Sequence, residues 1–350
     1  MSADLSITQK IPCHFRVYRG NSKAGEMARL VYVGVSEGLI YIAPFVDQSF
    51  FEHSTVEQEG TLEWKQLECF LNQNQPDTSL LMAPLEVVQQ CQRPGDIVGL
   101  SRLHQKVDVS SDWEYVQREL SHRENKRRVQ LVGQGFGFDV SLKDEDFFAF
   151  YRSMHVPTMR ARYGRFARSV PEQSAYLELF KQGVLFRVCL KGDWVAGSVS
   201  QVDESTRTLN ARLIGVRDGA AIYRVNGAQN YVYHAILEWA SHQSNIDCVD
   251  FQGCEPFLSK GTFQYKKRFG AKAVVPDNAF GQWRLLIRAH KLGASARQFL
   301  INNPVVGLDA EGRLQAQYFY DAGHEIRSDI PFASKGISSQ VSHNLDQWHG

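Results

Sequence analysis

The sequence has no long apolar run. Nowhere do about eighteen apolar residues follow one another without a charge, so no membrane-spanning helix is expected. Its opening, MSADLSITQK, lacks a basic segment leading into an apolar stretch, which argues against a secretory leader. Neither charge is in excess: 39 Lys and Arg stand against 38 Asp and Glu, net +1, so recognition of an anion has to be local. Cysteine is sparse. The six, at 13, 69, 91, 189, 248 and 254, include no CxxC pair and fall mostly in apolar stretches, reading as buried thiols of a reducing compartment. Cys254, between Gly253 and Glu255, has a nucleophile's neighbours but no histidine near it in sequence. The eleven histidines are dispersed without metal-ligand spacing, so no metal is expected. P-loop and GxSxG motifs are missing, as are internal repeats and low-complexity segments. These absences leave a soluble, cytoplasmic chain, and 350 residues with 43% apolar content suffice for two cores.

What is present is a run of elements. The first hundred residues carry weak signals: strands at 15–18, 28–35 and 39–43, a helix at 62–72, a short strand at 80–84, and a strand at 97–103 after the turn Gln-Arg-Pro-Gly95. From Asp112, an N-cap before Trp113, the signals sharpen into a basic helix to Arg128. Next come a strand at 136–140, helices at 144–162 and 172–182, and strands at 184–191, 194–203 and 208–216 joined by hairpin turns. A helix at 226–242, a strand at 248–251, a helix at 260–269 and strands at 271–275 and 282–288 follow. An antiparallel block followed by crossing helices predicts an α/β class, a mixed sheet flanked by helices, and not a doubly wound dinucleotide fold. The expected division is residues 1–112, a connecting helix 113–128, a second domain 129–290, and an extension 291–350 ending in a loose polar tail from Ser334.

Two stretches of the second half hold basic residues and no acid. Residues 147–171 carry Arg152, Arg160, Arg162, Arg165 and Arg168, and residues 256–276 carry Lys260, Lys266, Lys267, Arg268 and Lys272. Aromatic residues interleave with both, among them Tyr163, Phe166, Tyr265 and Phe269. Either stretch alone is an ordinary solvated face; flanking one sheet, the pair points to an anionic ligand.

The segment from Phe251 to Gly270, FQGCEPFLSKGTFQYKKRFG, together with Tyr233-His-Ala-Ile-Leu-Glu-Trp-Ala240, resembles the FemAB-like branch of the GNAT acyltransferase superfamily, of the exopolysaccharide- and cellulose-biosynthesis type. Tyr265-Lys-Lys-Arg-Phe-Gly270 is similar to the branch's aromatic-Lys-x-x-Phe-Gly signature, and Phe147 to Arg160 resembles its first helix. The likeness spans roughly residues 113–290 and implies two GNAT-like domains, the first degenerate. It implies transfer of an acyl group, acetyl above all, from a coenzyme A thioester to an amine or hydroxyl of a cell-envelope or exopolysaccharide precursor. Lys266, Asp250 and His234 are then the catalytic candidates, Lys266 polarising a carbonyl or meeting phosphate and Asp250 or His234 moving a proton. As an exposed side chain, Lys266 should be replaceable at little cost to folding. Thr158, Arg160, Arg162, Tyr265 and Phe269 are candidates for an anionic small-molecule or glycan-precursor acceptor, with Pro157 kinking the helix that carries Thr158 and Arg160.

One departure concerns the donor. The pyrophosphate loop of conventional GNAT enzymes is echoed only in part, by Arg217, Gly219 and Ala221, and the candidate residues for acyl-CoA are Arg217, Gly219, Arg224 and Gly227. Two other readings keep the fold: an aminoacyl-tRNA-dependent transferase, favoured by the basic helix 118–128, and a catalytically silent binder of anionic glycans.

Overall fold

The computed structural model describes residues 11–164, 167 and 169–348. Arg165, Phe166 and Arg168, counted above among the basic and aromatic residues, lie outside the described residues. The fold is mixed α/β, with helices flanking mixed sheets. The chain divides into two compact units: unit 1 holds Met1–Leu103, Gly253–Gln264 and Ala273–Gly350, and unit 2 holds His104–Gln252 and Tyr265–Lys272. This interleaving differs from the consecutive segments expected above. A strand's place is set by the partner ladder it completes, and sequence order does not reveal that partner.

Unit 1 begins with the hairpin β1 (Cys13–Ser22) and β2 (Met27–Gly34), followed by helices α1 (Ser36–Tyr41) and α2 (Ala43–Phe50). The strand expected at 39–43 is therefore helical, because Pro44 sits in the first turn of α2, where its missing N–H and fixed φ are tolerated. β3 (Phe51–Leu62) was not legible as a strand. It pairs only with β1 at the sheet edge, so nearly all its side chains are solvated and polar. Next are α3 (Leu67–Asn74), β4 (Thr78–Pro84), α4 (Leu85–Cys91) and β5 (Ile97–Leu100).

In unit 2, β6 (Leu103–Asp108) leads to α5 (Trp113–Glu119) and α6 (His122–Gly133). The single basic helix expected here is broken at Leu120 by Ser121, whose hydroxyl caps α6 just as Asp112 caps α5. β7 (Phe136–Ser141) precedes α7 (Asp144–Phe150), a π-helical turn at Tyr151–His155, and α8 (Val156–Tyr163) with Pro157 in its first turn. α9 (Glu172–Ser174) runs into a second π turn, Ala175–Phe180, and then β8 (Gly183–Leu190), β9 (Asp193–Asp203) and β10 (Thr208–Val216) form a meander. Its first turn uses Lys191 and Gly192 with positive φ, the conformation a tight hairpin requires. α10 (Ala221–Val225), α11 (Ala228–Ser241) and β11 (Cys248–Cys254) complete the central run, and α12 (Gly261–Lys267) follows.

The remaining elements are β12 (Lys272–Val274), α13 (Ala279–Gln282), β13 (Trp283–Ala289), α14 (Ala294–Asn302), β14 (Val305–Leu308), β15 (Leu314–Tyr320) and β16 (Ile337–Asn344). β13, expected to close the second domain, instead pairs antiparallel with both β4 and β5, giving unit 1 the order β3-β1-β2-β4-β13-β5. The tail expected to be loose forms β16 beside β15, and Leu345 and Trp348 pack into unit 1. In unit 2 the strands β6-β11-β10-β9-β8-β7 run consecutively in a seven-stranded sheet. Its core joins Phe186, Val188 and Val216 with Val232, Ile236 and Leu237 of α11. None of the six cysteines forms a disulfide; Cys69 is exposed and Cys91, Cys189 and Cys248 are half-buried, so burial holds for Cys13 and Cys254 alone.

Candidate functional site

The central strands of unit 2 separate. β10 and β11 are parallel, but their register pairs only Thr208–Asn210 with Cys248–Asp250, although β10 continues to Val216 and β11 to Cys254. A bulge at Arg212 shifts the β10 register against β9 and turns the strand away. Beyond the last pair, two strand edges carry backbone donors and acceptors that the other strand does not meet. Asn210 and Gln252 clasp the fork: the Gln252 amide donates to Asn210 Oδ1 at 3.1 Å.

Polar groups gather at this point of β11. Asp250 is buried, its Oδ2 lying 2.8 Å from His104 Nδ1 on β6 and its Oδ1 accepting the Gln252 N–H at 2.6 Å. Gln252 has φ of +64°, a conformation costly for a residue with a side chain and concentrated at functional positions. Lys266, only 4% exposed, donates from Nζ to the Gln252 carbonyl at 2.8 Å. The expectation of an exposed Lys266 is thus corrected, because its ammonium turns inward to the Gln252 carbonyl. His104 escaped the sequence reading. The signal was present only as alternation along Leu-His-Gln-Lys-Val107, which puts every second side chain of β6 on one face.

His234 is not part of this group. It is wholly buried on α11, with Nε2 3.3 Å from Glu124 Oε1 on α6. Burial holds its pKa below the ordinary imidazole range against the pull of Glu124, so it sits as a neutral core histidine. Burial raises the Glu124 carboxyl, but the contacts from His234 and Asn230 and the charge of Arg268 outweigh it and leave the pKa lowered. Asn230 also donates to the Tyr265 hydroxyl at 3.0 Å. Tyr265 and Phe269, expected to meet substrate, pack with Tyr233 and Phe251 in an aromatic cluster with ring centroids 4.9–5.9 Å apart, and Phe269 is fully buried. Burial pushes the Tyr233 hydroxyl up to about 12, with the Arg162 charge opposing it.

Thr158 is buried, and its hydroxyl accepts from Val216 N at 2.9 Å and donates to Val216 O at 3.3 Å, fastening α8 to the end of β10. Arg160 and Arg162, on the last turn of the same helix, are exposed. The Arg217 guanidinium donates to the Trp194 carbonyl, and Arg224 Nη1 lies 3.4 Å from the Gly219 carbonyl. Gly219 has φ of +65°, and a Cβ there would fall 2.5 Å from the Pro157 carbonyl oxygen, so only glycine lets this turn lie against α8. Gly227 has φ of +102° and caps the start of α11. Four of the candidate residues, Arg217, Gly219, Arg224 and Gly227, therefore shape the turn and the short helix beyond the end of β10. Among the described residues, no group of three or more His, Cys, Asp or Glu is placed to hold a metal ion, and no helix is long and apolar enough to cross a membrane.

No family profile matches the chain, and no curated protein matches it. Solved structures do. The crystal structure of FemX is 10% identical, with 77% of this chain and 87% of that chain covered and a TM-score of 0.42. L-PGS from Bacillus licheniformis is 10% identical over 81% of this chain and 87% of that one, with a TM-score of 0.37. A GCN5-related N-acetyltransferase from Sphaerobacter thermophilus is 11% identical over 75% and 76%, with a TM-score of 0.34.

Proposed function

We propose that the protein is a cytoplasmic acyltransferase that moves an acyl group, acetyl above all, from a coenzyme A thioester to an amine or hydroxyl of an anionic cell-envelope or exopolysaccharide precursor. The observation that carries this reading is the fork between β10 and β11, where parallel pairing stops at Asn210 and Asp250. An extended chain bearing amides, such as the arm of coenzyme A, satisfies such strand edges as an added strand would. The fork opens beside buried polar groups, so the acyl end of that chain meets Asp250 and the Gln252 turn. Lys266 serves by holding that turn through the Gln252 carbonyl. Arg160 and Arg162 offer exposed charge to phosphate on the acceptor or donor. The turn at Arg217–Gly219 and the start of α10 supply backbone donors near the end of β10.

We also read unit 1 as a degenerate copy of the same fold. Each sheet has a parallel pair, β2 with β4 and β10 with β11, followed by a strand from distant sequence, β13 or β6.

One feature favours the second reading, in which aminoacyl-tRNA is the donor: Arg118, His122, Lys126 and Arg128 line a surface groove between α5 and α6. Calorimetric titration with acetyl-CoA and longer acyl-CoAs at two salt concentrations, beside tRNA filter binding, separates the two. Thioester binding with shallow salt dependence is expected. No thioester binding, with tRNA affinity falling at a slope of about −0.7 per phosphate contact, would replace the first reading by the second. Binding of neither, with retention on anionic glycan, would make the protein a silent binder.

A further inference from the structure

We propose that His104 is the residue that accepts the acceptor's proton in this site, and that Asp250 is its positioning partner. The inference rests on the acyl-transfer reading above and adds to it a group from β6, an element the sequence reading left without chemistry.

Asp250 occupies the last position at which β11 is still in register with β10. Its two oxygens have different tasks: Oδ1 takes the Gln252 N–H, which holds the carboxylate at the fork, and Oδ2 takes His104 Nδ1 at 2.8 Å. A carboxylate only accepts, so the imidazole proton lies on Nδ1 and the lone pair lies on Nε2, at the far side of the ring. The imidazole is thereby fixed in orientation and tautomer, with an anion behind it to stabilise the imidazolium formed on proton capture. The side chain keeps 11% exposure, against none for His234, whose ring is sealed between α11 and α6. Charged and titratable groups on the same elements include Lys106 and Asp108 further along β6, Cys248 further back on β11, and Lys266, which reaches the same turn through the Gln252 carbonyl. Burial pushes the Cys248 thiol up to about 11, which removes it as a competing base at neutral pH.

The step balances as follows. The acceptor nitrogen or oxygen bonds to the thioester carbonyl carbon while its proton passes to His104 Nε2. The carbon–sulfur bond then breaks, and the coenzyme A thiolate leaves and takes that proton from the imidazolium.

Bromoacetyl-CoA tests this without turnover, because a poised imidazole displaces bromide and keeps the acyl-CoA as a covalent adduct that tandem mass spectrometry locates. Full-length protein should be labelled on the peptide carrying His104, with excess coenzyme A protecting it. His104→Gln should abolish that label. Asp250→Asn, which leaves a side chain of the same shape but a wrong hydrogen-bond pattern, should slow it by at least about tenfold while coenzyme A affinity by calorimetry stays within about twofold. His242→Gln, an exposed control just past α11, should label as the parent does. Coenzyme A binding with the label elsewhere, or with Asp250→Asn labelled at the parent rate, overturns the proposal and leaves the acyl-transfer reading standing. Neither binding nor labelling overturns both. Should His104→Gln fail to fold by circular dichroism, the position of the label in the parent and the Asp250→Asn rate decide.

Discussion

In unit 1 the parallel strands β2 and β4 stay in register from Leu30 and Thr78 to Gly34 and Met82, and Val35 N still reaches Met82 O at 2.9 Å. In unit 2 the parallel strands β10 and β11 part after three pairs. The third pair shows why. In unit 1 it is Tyr32 with Leu80, both wholly buried, whereas in unit 2 it is Asn210 with Asp250. Every residue of β4 is buried, and Gly34 lets the strands approach so closely that a Cβ would fall 2.1 Å from the Met82 carbonyl oxygen. Apolar side chains and a glycine close one sheet; a polar pair, a bulge and a left-handed Gln252 open the other. A parallel strand pair thus closes into a core in one place and opens into a fork in the other, and the choice lies in a few side chains.

The closed pair should be the more costly to disturb. Leu80→Ala removes a buried side chain from β4 and should cost about 2–5 kcal/mol in urea unfolding of the whole chain. A loss below about 1 kcal/mol would mean that the closed sheet is not the rigid half of the comparison. Lys266→Ala leaves the Gln252 carbonyl without its buried donor and should cost about 1–3 kcal/mol, with Lys272→Ala, an exposed neighbour, within about 0.5 kcal/mol of the parent. Equal small losses from both would show that the turn at the fork stands without Lys266. Gly219→Ala forces a Cβ toward the Pro157 carbonyl in a positive-φ turn and should lower stability by about 1–2 kcal/mol, read as a shift in thermal midpoint.

Acidification should produce the smallest effect. Burial holds the His155 pKa below its ordinary value, with the hydrogen bond from Nδ1 to the Ile214 carbonyl opposing, so the unfolded chain binds the proton more readily. The stability from this group is therefore complete above the unfolded value of 6.5 and is lost as pH falls through the folded one. Thermal midpoints measured from pH 7.5 down to 5.5 should fall, and His155→Asn should flatten part of that slope; an unchanged slope would sever His155 from it.

Much of unit 2 was legible beforehand. The meander from β8 to β10, the caps at Asp112 and the long face of α11 follow from alternation, turn residues and a 3.6-residue period, all local properties. Asp250 and Lys266 were also legible as a pair worth watching, although Gln252, which joins them, has nothing in its sequence setting to mark a left-handed turn. His234 could be read both ways, because a histidine on an apolar helix face looks the same whether it meets substrate or Glu124.

The sequence by itself therefore determined the mixed α/β class and most element types of unit 2, because those depend on neighbours a few residues apart. Tertiary structure alone decided that β13 completes unit 1, that β16 is a strand, and that β6 brings His104 to Asp250, 146 residues away in sequence. Such pairings depend on which strand edge is left to be satisfied, a property of the assembled sheet and not of any segment in it.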